Sequence, residues 1–361
     1  MKKRNLAIAL SAILIGIVFA FLYFSVNKPQ NYVKQELSKA QTEGKYLDRL
    51  LEEEENRIEK SYTLSLSQKA KARYQEFLQT SLSKVEFDVK KSGKTKDDVV
   101  TVSVSFEPLD LSKTMKDLLE KEKMEISSAD FSTELAHLLE EETKALDDRV
   151  MQSGTKALLE VKKTDKGYKV SNAQMISLIK AALPGYMESY SVLEDIFDKQ
   201  DYLKAFLDAY LKGDTQRLAV HTQMSKEEVD EWYRQGFEGE AEGFSSEDIE
   251  RLTTALMDIS AACQYEIGIP KKNANGEYEI AVHVIPNTSR VKAKEELDAM
   301  EFQSAEEVAS SFLSVYEKYA QNPTFADPTD LVFLWNASTT FQDVSPGTYV
   351  GDFIGIIYPT E

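Results

Sequence analysis

The chain has one cysteine, three histidines, two tryptophans and only 15 glycines in 361 residues. Each scarcity excludes a chemistry. Cys263 alone cannot close an intramolecular disulfide or build a Cys/His metal cluster. It sits among Ala261, Ala262 and Tyr265, which reads as a buried, inert thiol. No cysteine follows the N-terminal apolar run, so lipid attachment there is not expected. His137, His221 and His283 lie far apart in sequence, and no histidine metal site or cofactor is implied. The few glycines form no phosphate-binding loop, and no nucleophile elbow occurs. Basic charge is also short. Lys and Arg total 43 against 61 Asp and Glu, a net of −18. A phosphate backbone needs a basic patch, so nucleic acid is not an expected partner, whereas a cationic partner would suit.

What the chain does have begins at its N-terminus. Leu6 to Val26 is an unbroken apolar run preceded by Lys2, Lys3 and Arg4. Its length matches a helix crossing a hydrocarbon core of ~30 Å. The basic residues favour the cytoplasmic side and place the rest outside the membrane. The expectation is an uncleaved transmembrane anchor over residues 1–27, with cleavage as a secretory signal as the other reading. A hydrophobic content of 42% and 17 each of Tyr and Phe give the remainder enough apolar area for real cores.

The chain after the anchor repeats itself. Val85–Val89 and Val100–Val104, joined by a Lys-Ser-Gly-Lys turn, match Tyr265–Ile269 and Ile280–Val284, joined at Asn275-Gly276. The ungapped offset is 180 residues, and all four runs alternate like half-buried strands. Downstream, Ser128 with Phe131, Leu135, Leu138 and Leu139 matches Ser304 with Val308, Phe312, Val315 and Tyr316, one face of a helix in each copy. Ser304 to Glu307 and Ser225 to Glu228 are capping boxes, and Gly213 is placed to end a helix. Further strand pairs are expected at Ala157–Val161 with Tyr168–Val170, and at Leu331–Trp335 with Tyr349–Ile357. The fold class expected is therefore α+β, with two tandem domains over 28–184 and 185–361, divided at Pro184-Gly185. Each should hold a four-stranded, mainly antiparallel sheet against helices.

The run Tyr202-Leu203-Lys204-Ala205-Phe206-Leu207-Asp208-Ala209-Tyr210-Leu211-Lys212-Gly213-Asp214, followed by Ser225 to Glu228 and Trp232-Tyr233, resembles the opening of a duplicated domain. That domain occurs in membrane-anchored proteins and lipoproteins of Gram-positive bacteria. The resemblance implies a cystatin-like or nuclear-transport-factor-2-like fold, a helix wrapped by a curved antiparallel sheet. It covers about thirty-five residues of the second copy, and only fragments of the first. The family has no activity to carry over, and many members have the lipid-attachment cysteine that this chain lacks.

Candidate binding residues are Trp232, Tyr233, Phe237 and Trp335, which could line a helix–sheet pocket, and His283, on a strand between two valines. Core packing of the aromatics and a solvent-facing His283 are the competing readings. The acids at Glu227 to Glu231 and at Glu247 to Glu250 suit helix N-termini. Asn287-Thr-Ser289 and Asn336-Ala-Ser338 match the glycosylation pattern by chance. The expected protein is a non-enzymatic binding or scaffolding protein of the bacterial cell envelope, single-pass and largely extracytoplasmic. Its expected partners are the membrane, through the N-terminal helix, and an envelope protein. A small-ligand or peptide carrier and an acid-pair hydrolase of envelope polymers are the alternatives.

Overall fold

The computed structural model describes residues 28–360 apart from 59–63, 65, 95–97, 123–129, 149–150, 166, 239–243 and 337–348. Lys2, Lys3, Arg4 and the run from Leu6 to Val26 lie outside the described residues, as does Ser128. Among the described residues no helix is long and apolar enough to cross a membrane. The longest, Glu188–Lys212, has the length, but charges such as Asp195, Lys199, Lys204 and Asp208 interrupt it. The expected membrane-spanning helix, and the membrane as a partner through it, are corrected accordingly. The chain passes from one compact unit to another between Leu193 and Glu194. Pro184-Gly185 lies within the first. Gly185 has φ +78°, and a Cβ there would come 2.1 Å from Ser112 Oγ, so close packing holds this turn.

The first unit opens with α1 (Pro29–Glu43), α2 (Leu47–Ile58) and α3 (Gln68–Ser83). Pro29 occupies the first turn of α1, where its missing N–H costs nothing, and left-handed Gly44 ends that helix. Ser67 caps α3 by accepting from the Ala70 N–H. The hairpin β1 (Phe87–Lys94) and β2 (Val99–Phe106) follows, then α4 (Leu111–Glu122) and α5 (Phe131–Ala145). Asp130 is the N-cap of α5. Next come β3 (Thr155–Thr164), β4 (Gly167–Lys169) and α6 (Asn172–Ala182). The sheet order is β1-β2-β3-β4, antiparallel throughout. Val89, Val102, Val104, Leu159 and Val161 are buried and make the core face of the sheet.

Helix α7 (Glu188–Lys212) begins in the first unit and belongs to the second from Glu194; the second unit continues with α8 (Gln216–Thr222), α9 (Lys226–Glu238) and α10 (Ser246–Ala261). Strands β5 (Gln264–Ile267), β6 (Lys271–Lys272) and β7 (Tyr278–Ile285) precede α11 (Ser289–Asp298) and α12 (Ala305–Gln321). The chain then forms β8 (Thr329–Trp335) and α13 (Tyr349–Ile357). Strand β8 runs antiparallel along β7 from Tyr278 to Val284. Strands β5 and β6 pair with residues of that same stretch, so they share the opposite flank. Burial alternates strictly along β7, with Tyr278, Ile280, Val282 and Val284 inside.

Two expectations about strands are corrected. Tyr349–Ile357 is a helix, because Val350, Phe353, Ile354 and Ile357 bury at helical spacing. The ungapped hairpin match also fails in its first strand. Val104 pairs with Val89, not Val85, while Val284 pairs with Tyr265. The central strands keep the 180-residue offset and both bury Val102/Val282 and Val104/Val284, whereas the first strand of the first unit is shifted by four residues. The Ser225 capping box forms in full, whereas at Ser304 the returning bond goes to the residue before the cap. Glu228 N–H donates to Ser225 Oγ at 3.2 Å and the Glu228 carboxylate accepts from the Ser225 N–H at 2.8 Å. Glu307 N–H donates to Ser304 Oγ at 3.2 Å, and the Glu307 carboxylate accepts from the Gln303 N–H at 2.9 Å.

Candidate functional site

The five candidate residues do not line one cavity: the four aromatics pack into or against the core of the second unit, and His283 faces outward. Trp232 on α9 packs against Phe206 and Tyr210 of α7, with ring centroids 6.3 and 5.8 Å away. Tyr233 and Phe237 are buried on the next face of α9 and meet edge-on at 5.1 Å. Tyr233 also covers Gly213, where a Cβ would come within 2.7 Å of its ring. Trp335 lies at the end of β8 against Tyr202 and Phe333. His283 faces outward, its side chain half exposed, and pairs with Asp330 across the sheet at 2.7 Å. Two open grooves, of about 450 and 550 Å³, are lined by other residues. The 450 Å³ groove has Glu247, Glu250, Asp258 and Glu317 on its walls, and Arg251 in it donates to Glu317 at 2.7 Å.

One cluster does bring titratable groups together, around His221. One turn of α7 presents Asp198, Asp201 and Tyr202, and α8 presents Arg217 and His221. His221 Nε2 is 2.8 Å from an Asp201 oxygen, and its Nδ1 is 3.8 Å from Asp198. Arg217 pairs with the other Asp201 oxygen. The imidazole stacks on Tyr202 at 4.6 Å with an 8° interplanar angle, and Trp335 also packs against that tyrosine, at 5.4 Å. Burial pushes the Asp198 carboxyl above its usual range, with Asp201 and Asp195 adding to it and His221 and Lys199 opposing. Only 5% of the His221 side chain is exposed. A general base must reach a substrate proton, and this imidazole offers no open face. The cluster therefore ties α7 to α8. Sequence reading missed it because the acids and the histidine are about twenty residues apart and share no motif.

Five of the other perturbed carboxylates share one pattern, an acid that accepts from a tyrosine hydroxyl and a lysine ammonium. Glu36 accepts from Tyr46 and Lys45, and Glu54 from Tyr186 at 2.5 Å and Lys180 at 2.7 Å. Asp195 accepts from Tyr278 and Lys199, and Asp208 from Tyr265 and Lys204. Glu296 accepts from Tyr319 and Lys318 on the surface. Burial alone would raise the first four, but the donors outweigh it and lower all of them, Glu54 to about 2. The same pairing and burial push Tyr186 up to about 12. Carboxylates held ionised and saturated with donors make poor proton carriers and good ties.

Glu142 is the opposite case. It is buried on α5, and burial drives its carboxyl up to about 8, partly opposed by the Ser189 hydroxyl bonded to it. Cys263 is buried, and burial raises its thiol to about 12, an unreactive state. The glycosylation pattern at Asn287 is a core hub. Asn287 has no exposed surface, donates to Ile259 O at 2.6 Å and accepts from the Ser289 N–H at 3.0 Å. Among the described residues no group of three His, Cys, Asp or Glu could hold a metal ion.

No protein-family model matches the chain, and no curated protein matches it. Among solved structures, the chain is similar to a crystal structure of a candidate lipoprotein from Bacillus subtilis at 12% identity and a TM-score of 0.32. The match covers 76% of this chain and 96% of that one. A likeness this slight carries no argument about fold or function.

Proposed function

We propose that the chain is a non-catalytic, extracytoplasmic binding protein of the cell envelope, made of two diverged copies of one module. Extracytoplasmic placement is supported by the basic and then apolar N-terminal sequence, Lys2 to Arg4 before Leu6 to Val26, which has the order of charges and apolar residues of an export signal. Duplication is supported by equivalent strand pairing. In each unit the second strand of a hairpin is central, and a later strand pairs with its free side after two helices. The observation that carries the non-catalytic reading is the fate of the acids. The clamped acids Glu36, Glu54, Asp195 and Asp208 are tied to tyrosine and lysine, and the one buried histidine is shut between an aspartate and a tyrosine ring. A carrier built on Trp232 and Trp335 would need them in one cavity, yet they pack against different partners.

Cross-linking in intact cells, followed by isolation of the tagged full chain, tests this reading. The expected result is a reproducible extracytoplasmic partner, still captured when Glu142 or His221 is replaced by Gln. Capture of no partner across a range of salt, or turnover of an envelope polymer lost on one acid substitution, would overturn it.

A further inference from the structure

We propose that the Tyr349 hydroxyl guards the β8 edge against antiparallel pairing with the same edge of a second copy of this chain. Among the described residues β8 pairs with β7 alone, so its other flank is a strand edge. Such an edge offers backbone groups to any passing strand, and natural sheets block it. Here the block is one hydroxyl. Tyr349 Oη accepts from the Leu334 N–H at 2.6 Å and donates to the Val332 carbonyl at 3.2 Å. Those are groups that an incoming strand would use. The ring does not need this hydroxyl to stay in place, because it packs against Phe333 at 5.3 Å.

The edge is fitted to itself. Val332 is 60% exposed, an apolar residue in the middle of the open strand. An antiparallel pair centred there sets Val332 against its copy and Asp330 against Leu334 of the copy, so no acid faces an acid. In a chain of net charge −18 that arrangement is what lets two copies approach. The interface would be isologous and closed. Side chains block other edges as well. The Gln200 amide donates to Ile267 O at 3.1 Å and Gly268 O at 3.2 Å beside β5, and Glu160 N–H of β3 donates to Gln174 Oε1 at 2.8 Å.

The test is sedimentation velocity of the purified full chain, with Tyr349→Phe and Tyr349→Phe/Val332→Lys beside it. Amide exchange at Leu334 in dilute protein shows whether the edge has opened. The expected result is a monomeric parent, about tenfold faster Leu334 exchange in Tyr349→Phe, concentration-dependent dimer in that variant, and monomer again in the double variant. Should Tyr349→Phe misfold, Tyr349→Leu replaces it with the same expectation. A parent that already dimerises through this edge, unchanged Leu334 exchange, a variant that stays monomeric with the edge open, or a dimer that survives Val332→Lys would each overturn the proposal.

Discussion

Glu142 and Glu54 are both buried carboxyls with opposite fates, and stability against pH separates them. The Glu142 carboxyl is raised to about 8 in the folded chain, so its ionised form is the disfavoured one. Its contribution is neutral below the unfolded value and turns increasingly destabilising as pH climbs from there to about 8. Glu142→Gln should therefore gain stability over the parent, little at pH 5 and on the order of a few kcal/mol at pH 8, in urea unfolding. Equal differences at the two pH values would contradict this. Glu54 is lowered to about 2, so its stabilisation is complete above the unfolded value and is lost as pH falls toward 2. Glu54→Gln removes the charge and one of the two acceptor oxygens that Lys180, Tyr186 and Arg57 share, and should cost about 3 kcal/mol at pH 7, with the cost shrinking as the pH drops. These roles were not legible in the sequence. Glu54 sits inside the acidic run Glu52–Glu55, where composition cannot tell a buried acid from a solvated one, and Lys180 and Tyr186 lie more than a hundred residues away.

At the scale of elements, helix ends were the legible part. Ser225, Ser304 and Gly213 mark their helices in sequence, because capping depends on contacts only a few residues apart. Gly213→Ala should destabilise by about 1 kcal/mol or more, since φ is +69° and the Tyr233 ring fills the space a Cβ would need. Thermal unfolding checks it, and a Gly213→Asn variant should fall between the two, as Asn tolerates the left-handed region. Tyr349–Ile357 was misread because its Ile, Val, Tyr and Phe residues favour strands, although its buried set recurs at three and four residues. The glycosylation pattern at Asn287, read as a chance match, falls on a fully buried residue. A three-residue pattern says nothing of burial, and here it links the end of α10 to the start of α11. Asn287→Ala should cost about 2 kcal/mol in urea unfolding by stranding buried groups, and no glycan should be found at this position in the native protein.

For the whole molecule, the 180-residue sequence match keeps its register where strands are central and loses it where they lie at an edge. Val102 and Val104 match Val282 and Val284 because both central strands bury one face against a core, which fixes their alternation. The first hairpin strand in each unit is paired on one side only and can slip relative to the sequence pattern without losing its inward face by a shift of four. The His221 cluster and the acid–tyrosine–lysine ties escaped sequence reading because their partners stand at no fixed spacing, 10 residues apart for Glu36 and Tyr46, 20 for Asp201 and His221 and 132 for Glu54 and Tyr186.

Disulfide trapping in a Cys263→Ser background tests the shared module most directly. Cysteine pairs at Lys90/Ser103 and Ser103/Leu158 in the first unit, and at Glu266/His283 and His283/Asp330 in the second, occupy equivalent places around the two central strands. The account predicts that all four pairs oxidise readily. Trapping of Glu86/Ser103 in place of Lys90/Ser103, or failure of the third-strand pair in either unit, would contradict it.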